Sequence, residues 1–309
     1  YPEKQAVNND PYVFRDVRGV NIYVHPVLYN AEKQTVRIYR ELTVNISEDR
    51  TKTTNPLTIR PDYVVSSMND VYRTMFVNYN ELKFTHQVGE FGEILVLYTS
   101  DNGGLSAIQP YIDWKREKGF TVTAQQVSTG TNVVSTVASA YSSNPNILYV
   151  QLVGDWADIK CDLGPDSGPT DPMIGDVSGS DSYPELIVGR FSADSETDVT
   201  IQVNKTIAYE KTPDMSGTWY GTGLGIGGDD GPGDDGELDY EQVDVIKTDK
   251  LIPYTYHTVN EAYHSPSATN VATFVNAGLG IINYCGHGSE TSWSTSGYSN
   301  TNIASSTNG

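Results

Sequence analysis

The chain has 309 residues, 38% hydrophobic and 19% charged, an ordinary globular mix whose length sets two domains as the prior. Its net charge of −19 makes nucleic acid and anionic membranes poor partners, and cations and basic peptides better ones. No run of roughly 18 apolar residues is present to cross a bilayer, and two cysteines, Cys161 and Cys285, make no disulfide framework.

Residues 1–78 read as β structure. The stretch Thr35–Ser47 alternates, with Val36, Ile38, Leu42, Val44 and Ile46 on one face and Arg37, Glu41, Thr43 and Asn45 on the other. A period of two with one polar face predicts a half-buried antiparallel strand. Residues 20–30 read as its hairpin partner, and 48–56 as a turn or loop.

After residue 90 the pattern changes. Glu93–Ser100 is a short continuous apolar run, as in a strand covered on both faces. A helix follows over 105–118, closed by Gly119; Pro110 must sit in its first turn or kink it. Next come a strand (120–127), a helix (132–143) and a buried strand (146–155). Pro184–Ser192 is a third buried run, followed by a capping box at Ser195–Asp198 and a helical face of Val199, Val203 and Ile207. The glycine-rich strand 221–228 leads to a helix over 238–252 and a strand over 254–259. A further helix has Ser265 as N-cap, Pro266 at its first position and Gly278 at its close. Residues 279–284 are the strand that delivers His287. Strands alternating with helices predict an α/β fold with a mostly parallel sheet flanked by helices. In such sheets, sites form beyond the carboxyl ends of strands. His287 and the acidic loop 228–239 both fall there.

Of the five histidines, His25, His86, His257 and His264 read as structural, in strands or loops without a partner cluster. No zinc spacing is present. His287 differs because Gly286 and Gly288 flank it. They allow turn geometry and close approach of a substrate, while N–H groups after a strand end can face a developing oxyanion. An imidazole there suits general acid–base work. In the loop 228–241, Asp229, Asp230, Asp234, Asp235, Glu237 and Asp239 crowd together. Helix capping accounts for part of this. An EF-hand does not fit, since Gly231 and Gly233 fall where ligands should stand. A looser calcium loop and a carboxylate pocket for a Lys or Arg side chain both stay open.

The string "INYCGHGSETSW" (282–293) resembles the catalytic-histidine segment of the gingipains, the C25 family of secreted cysteine peptidases. "NILYVQLVGDWADI", "YPELIVGRFS" and the acidic Gly-Pro loop followed by "GELD" resemble the same family in the same order. "DPYVFRDVRG", "TVRIYRELTV" and "DVYRTMFVNY" resemble the later part of its prosegment. The resemblance implies a caspase-like α/β domain over 79–309 after a β-rich prosegment over 1–78. It implies His287 as base and acid, Gly288 as an oxyanion N–H, and Asp229, or its neighbour Asp230, as the acid that orients the histidine. Asp239 falls at the carboxylate that receives a basic substrate side chain, and Trp293 is assigned with it to substrate binding. Structural calcium is expected on Asp230, Asp234 and Asp235.

The pattern departs from the family in two places. The family's catalytic cysteine lies on the strand after the histidine's, past a polar loop. Cys285 shares the histidine's strand and Cys161 lies in a loop without a signal, so the nucleophile is expected beyond residue 309. It would sit on a second chain from the same precursor if the polar loop 296–309 is cut. The segment Phe76–Tyr79 also lacks the basic residue usual at the prosegment junction of Arg-specific members. The overall expectation is a secreted or cell-surface cysteine endopeptidase, in zymogen or autoprocessed form, acting on protein or peptide substrates after Arg or Lys. The alternative is a degenerate, non-catalytic binding or adhesion module of the same family.

Overall fold

The computed structural model describes residues 2–47, 51, 54–81, 87–164, 167–232 and 236–307. They form two compact units, 1–212 and 213–309; the boundary expected near residue 78 falls inside the first.

The first unit opens with short strands: β1 (Ala6–Asn8), β2 (Tyr12–Phe14), β3 (Val17–Gly19), β4 (Ile22–Val24), β5 (Val27–Asn30), β6 (Thr35–Ile38) and β7 (Tyr63–Val65). The expected hairpin exists, as β5 pairs antiparallel with β6, while Pro26 separates β5 from β4, which pairs with β1 instead. Two expectations fail here. The strand over 35–47 is regular only to Ile38, and its apolar face is not covered: Val36, Ile38 and Ile46 are 59, 69 and 69% exposed. Alternation supplies a face to bury but not the layer that buries it. The region also contains a helix, α1 (Ser66–Met75). Met68, Tyr72 and Phe76 recur every four residues and pack with Phe14, Val17 and Val64, a helical period inside a stretch read as all-β.

The rest of the first unit is a layered α/β sandwich. Its elements are β8 (Gln87–Gly89), β9 (Glu93–Tyr98), α2 (Gly104–Glu117), β10 (Thr121–Gln126), β11 (Thr131–Asn132), α3 (Val134–Ser143), β12 (Ile147–Val153), β13 (Ile159–Lys160), β14 (Ile187–Phe191) and α4 (Glu196–Lys211). Four strands lie in the order β10-β9-β12-β14, all parallel. Because successive side chains point to opposite faces, Ile94, Val96 and Tyr98 pack with α2 and α4, whereas Leu95 and Leu97 pack with Val137 and Tyr141 of α3. Pro110 lies in the second turn of α2, past the first turn where proline is tolerated freely. β14 is an edge strand, and Ile187 is exposed rather than part of a fully buried run. Ser195 caps α4 as expected, its hydroxyl accepting from the Asp198 N–H.

The second unit contains β15 (Thr222–Gly228), α5 (Asp239–Ile246), α6 (Ile252–Tyr254), β16 (Thr258–His264), α7 (Ala268–Ala277), β17 (Ile281–Cys285) and α8 (Asn300–Ala304). Its sheet has the order β16-β15-β17 and is parallel throughout. Three boundaries differ from expectation. The strand expected over 254–259 runs from Thr258 to His264 because the preceding helical segment persists to Tyr254. The N-cap of α7 is Ser267, not Ser265; its Oγ accepts from the Asn270 N–H at 3.2 Å. The stretch read as a polar loop past 296 contains α8 and a buried Tyr298.

Candidate functional site

The site is assembled where the three strands of the second unit end. Register pairs Gly228 with His264 and Gly227 with Cys285, so the segments after them emerge side by side. Glycine alternation in β15 brings the acidic helix close. A Cβ at Gly227 would lie 2.6 Å from the Tyr240 Cα and 2.9 Å from the Asp239 carbonyl carbon; one at Gly225 would lie 2.7 Å from a Val243 methyl. Leu224 and Ile226 point the other way, into a core with Ala262, Val271 and Tyr298.

The start of α5 is thereby pressed against the sheet. The Glu241 carboxylate accepts the Leu238 N–H at 2.9 Å, and the Asp239 N–H donates to the Asp230 carbonyl at 3.0 Å. Asp239 is half-buried, and its Oδ1 accepts from the Cys285 thiol at 3.5 Å. Burial pushes that thiol's pKa up, and the Asp239 charge pushes it further. A nucleophilic cysteine needs the opposite, an electropositive setting that favours thiolate. Cys161 is no better placed, since burial and then Asp171 raise it. Both cysteines are free thiols.

His287 stands on an over-determined turn. Gly286 has φ +147°, and a Cβ there would fall 2.8 Å from the Tyr284 hydroxyl. The His287 carbonyl accepts from Tyr284 Oη at 2.5 Å and from the Ser294 N–H at 2.8 Å. Tyr284 stacks on Trp293 at 5.0 Å and 13°, and Trp293 packs on Tyr298 at 5.7 Å. The backbone is held while the imidazole is exposed. Among the described residues, nothing hydrogen-bonds the His287 ring or accepts the Gly288 N–H. Gly288 bridges to Trp293. Trp293, assigned to substrate binding, is half-buried in the aromatic stack that carries the turn.

The two neighbouring aspartates diverge. Asp229 does not meet His287; its Oδ1 lies 2.7 Å from His264 Nδ1, in an open pair whose side chains are 63% (His264) and 57% (Asp229) exposed. His264 also packs on the Tyr240 ring at 4.6 Å. Asp230 stays over the strand end: a Cβ at Gly228 would lie 3.7 Å from Asp230 Oδ2 and 3.1 Å from the Thr295 methyl. His264, read as a structural histidine without a partner, is thus a rim residue with one. The shifted start of β16 hid it, since a strand ending at residue 259 does not place 264 at the rim.

Of the three residues expected to hold calcium, Asp230 falls within the described residues. Asp234 and Asp235 lie outside the described residues, as does His86, and Asp229 is engaged by His264. Among the described residues no three His, Cys, Asp or Glu side chains converge to hold a metal, and no helix is long and apolar enough to cross a membrane.

Comparison with known proteins adds a family to this geometry. The family model for peptidase family C25 matches residues 87–309, and that for the C25 propeptide matches residues 1–85. Gingipain R2 of Porphyromonas gingivalis is 32% identical over 320 residues, covering all of this chain and 43% of the relative. Lys-gingipain of the same organism is 22% identical over 314 residues, covering 95% of this chain and 18% of the relative. The crystal structure of the Arg-specific cysteine proteinase gingipain R is similar with a TM-score of 0.66 at 30% identity, over 71% of this chain and 52% of that one. The complex of Porphyromonas gingivalis RgpB pro- and mature domains is similar with a TM-score of 0.64 at 30% identity, over 70% and 53%. The fold is therefore caspase-like, with a β-rich N-terminal region. The chain spans 43% of the length of the gingipain R2 that it matches.

Proposed function

Because this chain belongs to peptidase family C25, we propose that it carries the prosegment and the leading part of the catalytic domain of a cysteine endopeptidase that cuts after basic residues. The observation that carries the reading is the His287 turn: an exposed imidazole at the carboxyl end of a parallel strand, its backbone fixed by two hydrogen bonds and an aromatic stack. The prosegment is read as residues 1–78, within the propeptide match that runs to 85.

The nucleophile is assigned to sequence following residue 309, because both thiols here sit where the thiolate is disfavoured. In the proposed reaction His287 removes the thiol proton as sulfur attacks the scissile carbonyl. The Gly288 N–H faces the oxyanion, and the same imidazole returns the proton to the departing amine. An acid at Asp229 or Asp230 steers the ring; the pairing of Asp229 with His264 favours Asp230. Asp239 receives the guanidinium or ammonium of the substrate, as its place beside the strand end allows. The Arg-specific proteinase among the similar structures supports the basic preference. The charge density of 228–239 supports a structural calcium ion, which takes no part in the steps above. A secreted or cell-surface location goes with this reading.

In the full-length protein, His287→Ala should lower hydrolysis of an Arg-containing peptide by more than about a thousandfold with an unchanged melting temperature. Retained hydrolysis refutes the assignment. Equal inactivity of the wild type towards peptides and thiol-directed inhibitors would favour a binding module.

A further inference from the structure

Two ionisable side chains of the first unit are only 2% exposed: Arg15 and Glu185. They meet across the join between the propeptide match and the peptidase match. Arg15 and Asp16 form the tip of the β2–β3 hairpin, with Arg15 at φ +50°. The guanidinium is inserted among main-chain carbonyls of the peptidase part. Its Nη1 donates to Ile147 O at 2.8 Å and Glu185 O at 3.1 Å, and its Nη2 to Pro145 O at 3.0 Å. It lies over the Tyr141 ring at 5.9 Å. The hairpin is also held along its flank. The Val13 N–H donates to Asp181 Oδ2 at 2.8 Å, and Tyr12 stacks on Tyr183 at 4.4 Å.

The charge balance in this socket is uneven. Arg15 is matched by Asp16 from its own hairpin, Nε to Oδ1 at 3.4 Å, and Asp16 Oδ2 also accepts from the Tyr72 hydroxyl at 2.6 Å. Among the described residues no cation pairs with the Glu185 carboxylate. Its Oε2 accepts the Val177 and Ser178 N–H groups at 3.0 and 2.8 Å. Its Oε1 is buried with no hydrogen-bond donor among the described residues. The groups that face its carboxyl are Tyr141 from α3 and Asp176 and Asp181 from its own loop, while Arg15 of the hairpin reaches its main-chain carbonyl. An ionised carboxylate with an orphaned oxygen is costly in such a place.

We propose that the 12–19 hairpin, through Arg15, keeps the N-terminal region attached to the peptidase part after the polypeptide between them is cut, and that ionisation of Glu185 loosens this grip. The guanidinium reaches three carbonyls from two nitrogens held in one rigid planar fork, an arrangement that an ammonium, with its donors on a single nitrogen, does not reproduce. Burial pushes the Glu185 carboxyl up to about 7 in the attached state. Solvation on detachment returns it toward the ordinary carboxylate range. Attachment is therefore favoured below that range and weakens as pH rises through about 7. The proposal rests on residues 1–85 being a removable segment, not on the protein being catalytically competent.

The test uses the full-length protein with a site-specific protease sequence inserted between residues 81 and 87. After cutting, release of the N-terminal piece is followed by size exclusion at about pH 5.5 and about pH 8. In the wild type, release should be about tenfold faster at the higher pH. Glu185→Gln should release slowly at both. Arg15→Met should release at least about tenfold faster than wild type at the lower pH, with an unchanged near-ultraviolet circular dichroism before cutting. If Arg15→Met does not fold, Arg15→Lys decides in its place, and it too should release faster than wild type. The proposal is overturned if the Arg15 variant is retained like wild type, or if Glu185→Gln keeps the wild-type pH dependence. Peptide hydrolysis is not a readout, so failure here leaves the peptidase reading untouched.

Discussion

The four-stranded sheet of the first unit is covered by apolar side chains on both faces, whereas the three-stranded sheet of the second has aliphatic side chains on one face and glycines where α5 lies. In the first, Ile94, Val96 and Tyr98 serve one layer and Leu95 and Leu97 the other. In the second, Leu224 and Ile226 fill the single core, and Gly225 and Gly227 admit α5 at backbone distance. The strand ends differ to match. Beyond β12 and β14, the polar groups satisfy one another: Asn102 donates to Asp158 and to the Ala193 carbonyl, and Asp155 takes the Ser192 hydroxyl. Beyond β15, β16 and β17 stand His287, with an open ring, and the exposed pair of Asp229 and His264. A sheet packed on both sides makes a scaffold; glycine on one side lets an acidic helix start approach the strand ends at backbone distance.

Variants can break or sharpen this contrast. Leu152→Ala removes a fully buried side chain from the first sheet and should cost about 2–5 kcal/mol in urea unfolding. Gly227→Ala places a methyl group against the α5 backbone and should cost about 1–3 kcal/mol. It should also raise KM for a basic peptide more than it lowers kcat, because Asp239 moves. If stability and KM stay at wild-type values, close approach is not the reason for glycine there.

Two carboxyls of the first unit, the buried Glu185 and the half-buried Asp171, give opposite pH responses. Glu185 is raised in the folded state to about 7. Its contribution to stability is full below the ordinary carboxylate value and is lost as pH rises to about 7, by about 3 kcal/mol. Glu185→Gln should flatten that part of the profile. Asp171 is held below its ordinary range first by the hydrogen bonds from Arg190, Nε to Oδ2 at 2.8 Å and Nη2 to Oδ1 at 2.7 Å. Its contribution is present above the ordinary value and lost as pH falls through the depressed one. Asp171→Asn should remove that acid limb. The smallest effect is expected at His264→Ala. The pair with Asp229 is exposed, so thermal stability should change by less than about 0.5 kcal/mol. A larger loss would mean that the pair supports the rim rather than decorating it.

Periodicity was a good guide where one local rule decides the outcome. Continuous apolar runs marked β9 and β12, the Ser195 cap marked the start of α4, and Gly-His-Gly after an apolar run placed an imidazole at a strand end. It was a poor guide where neighbours decide. Thr35–Ser47 alternates as a half-buried strand does, but among the described residues no layer covers Val36, Ile38 or Ile46. The Met68–Tyr72–Phe76 spacing needed Val17 and Val64 to give it a core. The partner of Asp229 depended on where β16 stops, since a strand that starts four residues later than expected, at Thr258, carries His264 from mid-loop to the rim.

The order of strands and helices, the caps, the glycine turn and the acidic loop follow from the sequence by itself, because each depends on residues within a few positions of one another. Which carboxylate meets which imidazole, the thiol beside Asp239, and the seating of Arg15 among carbonyls more than a hundred residues away were decided only by tertiary structure. Such pairings depend on strand register and burial, and neither is written in the local spacing of residues.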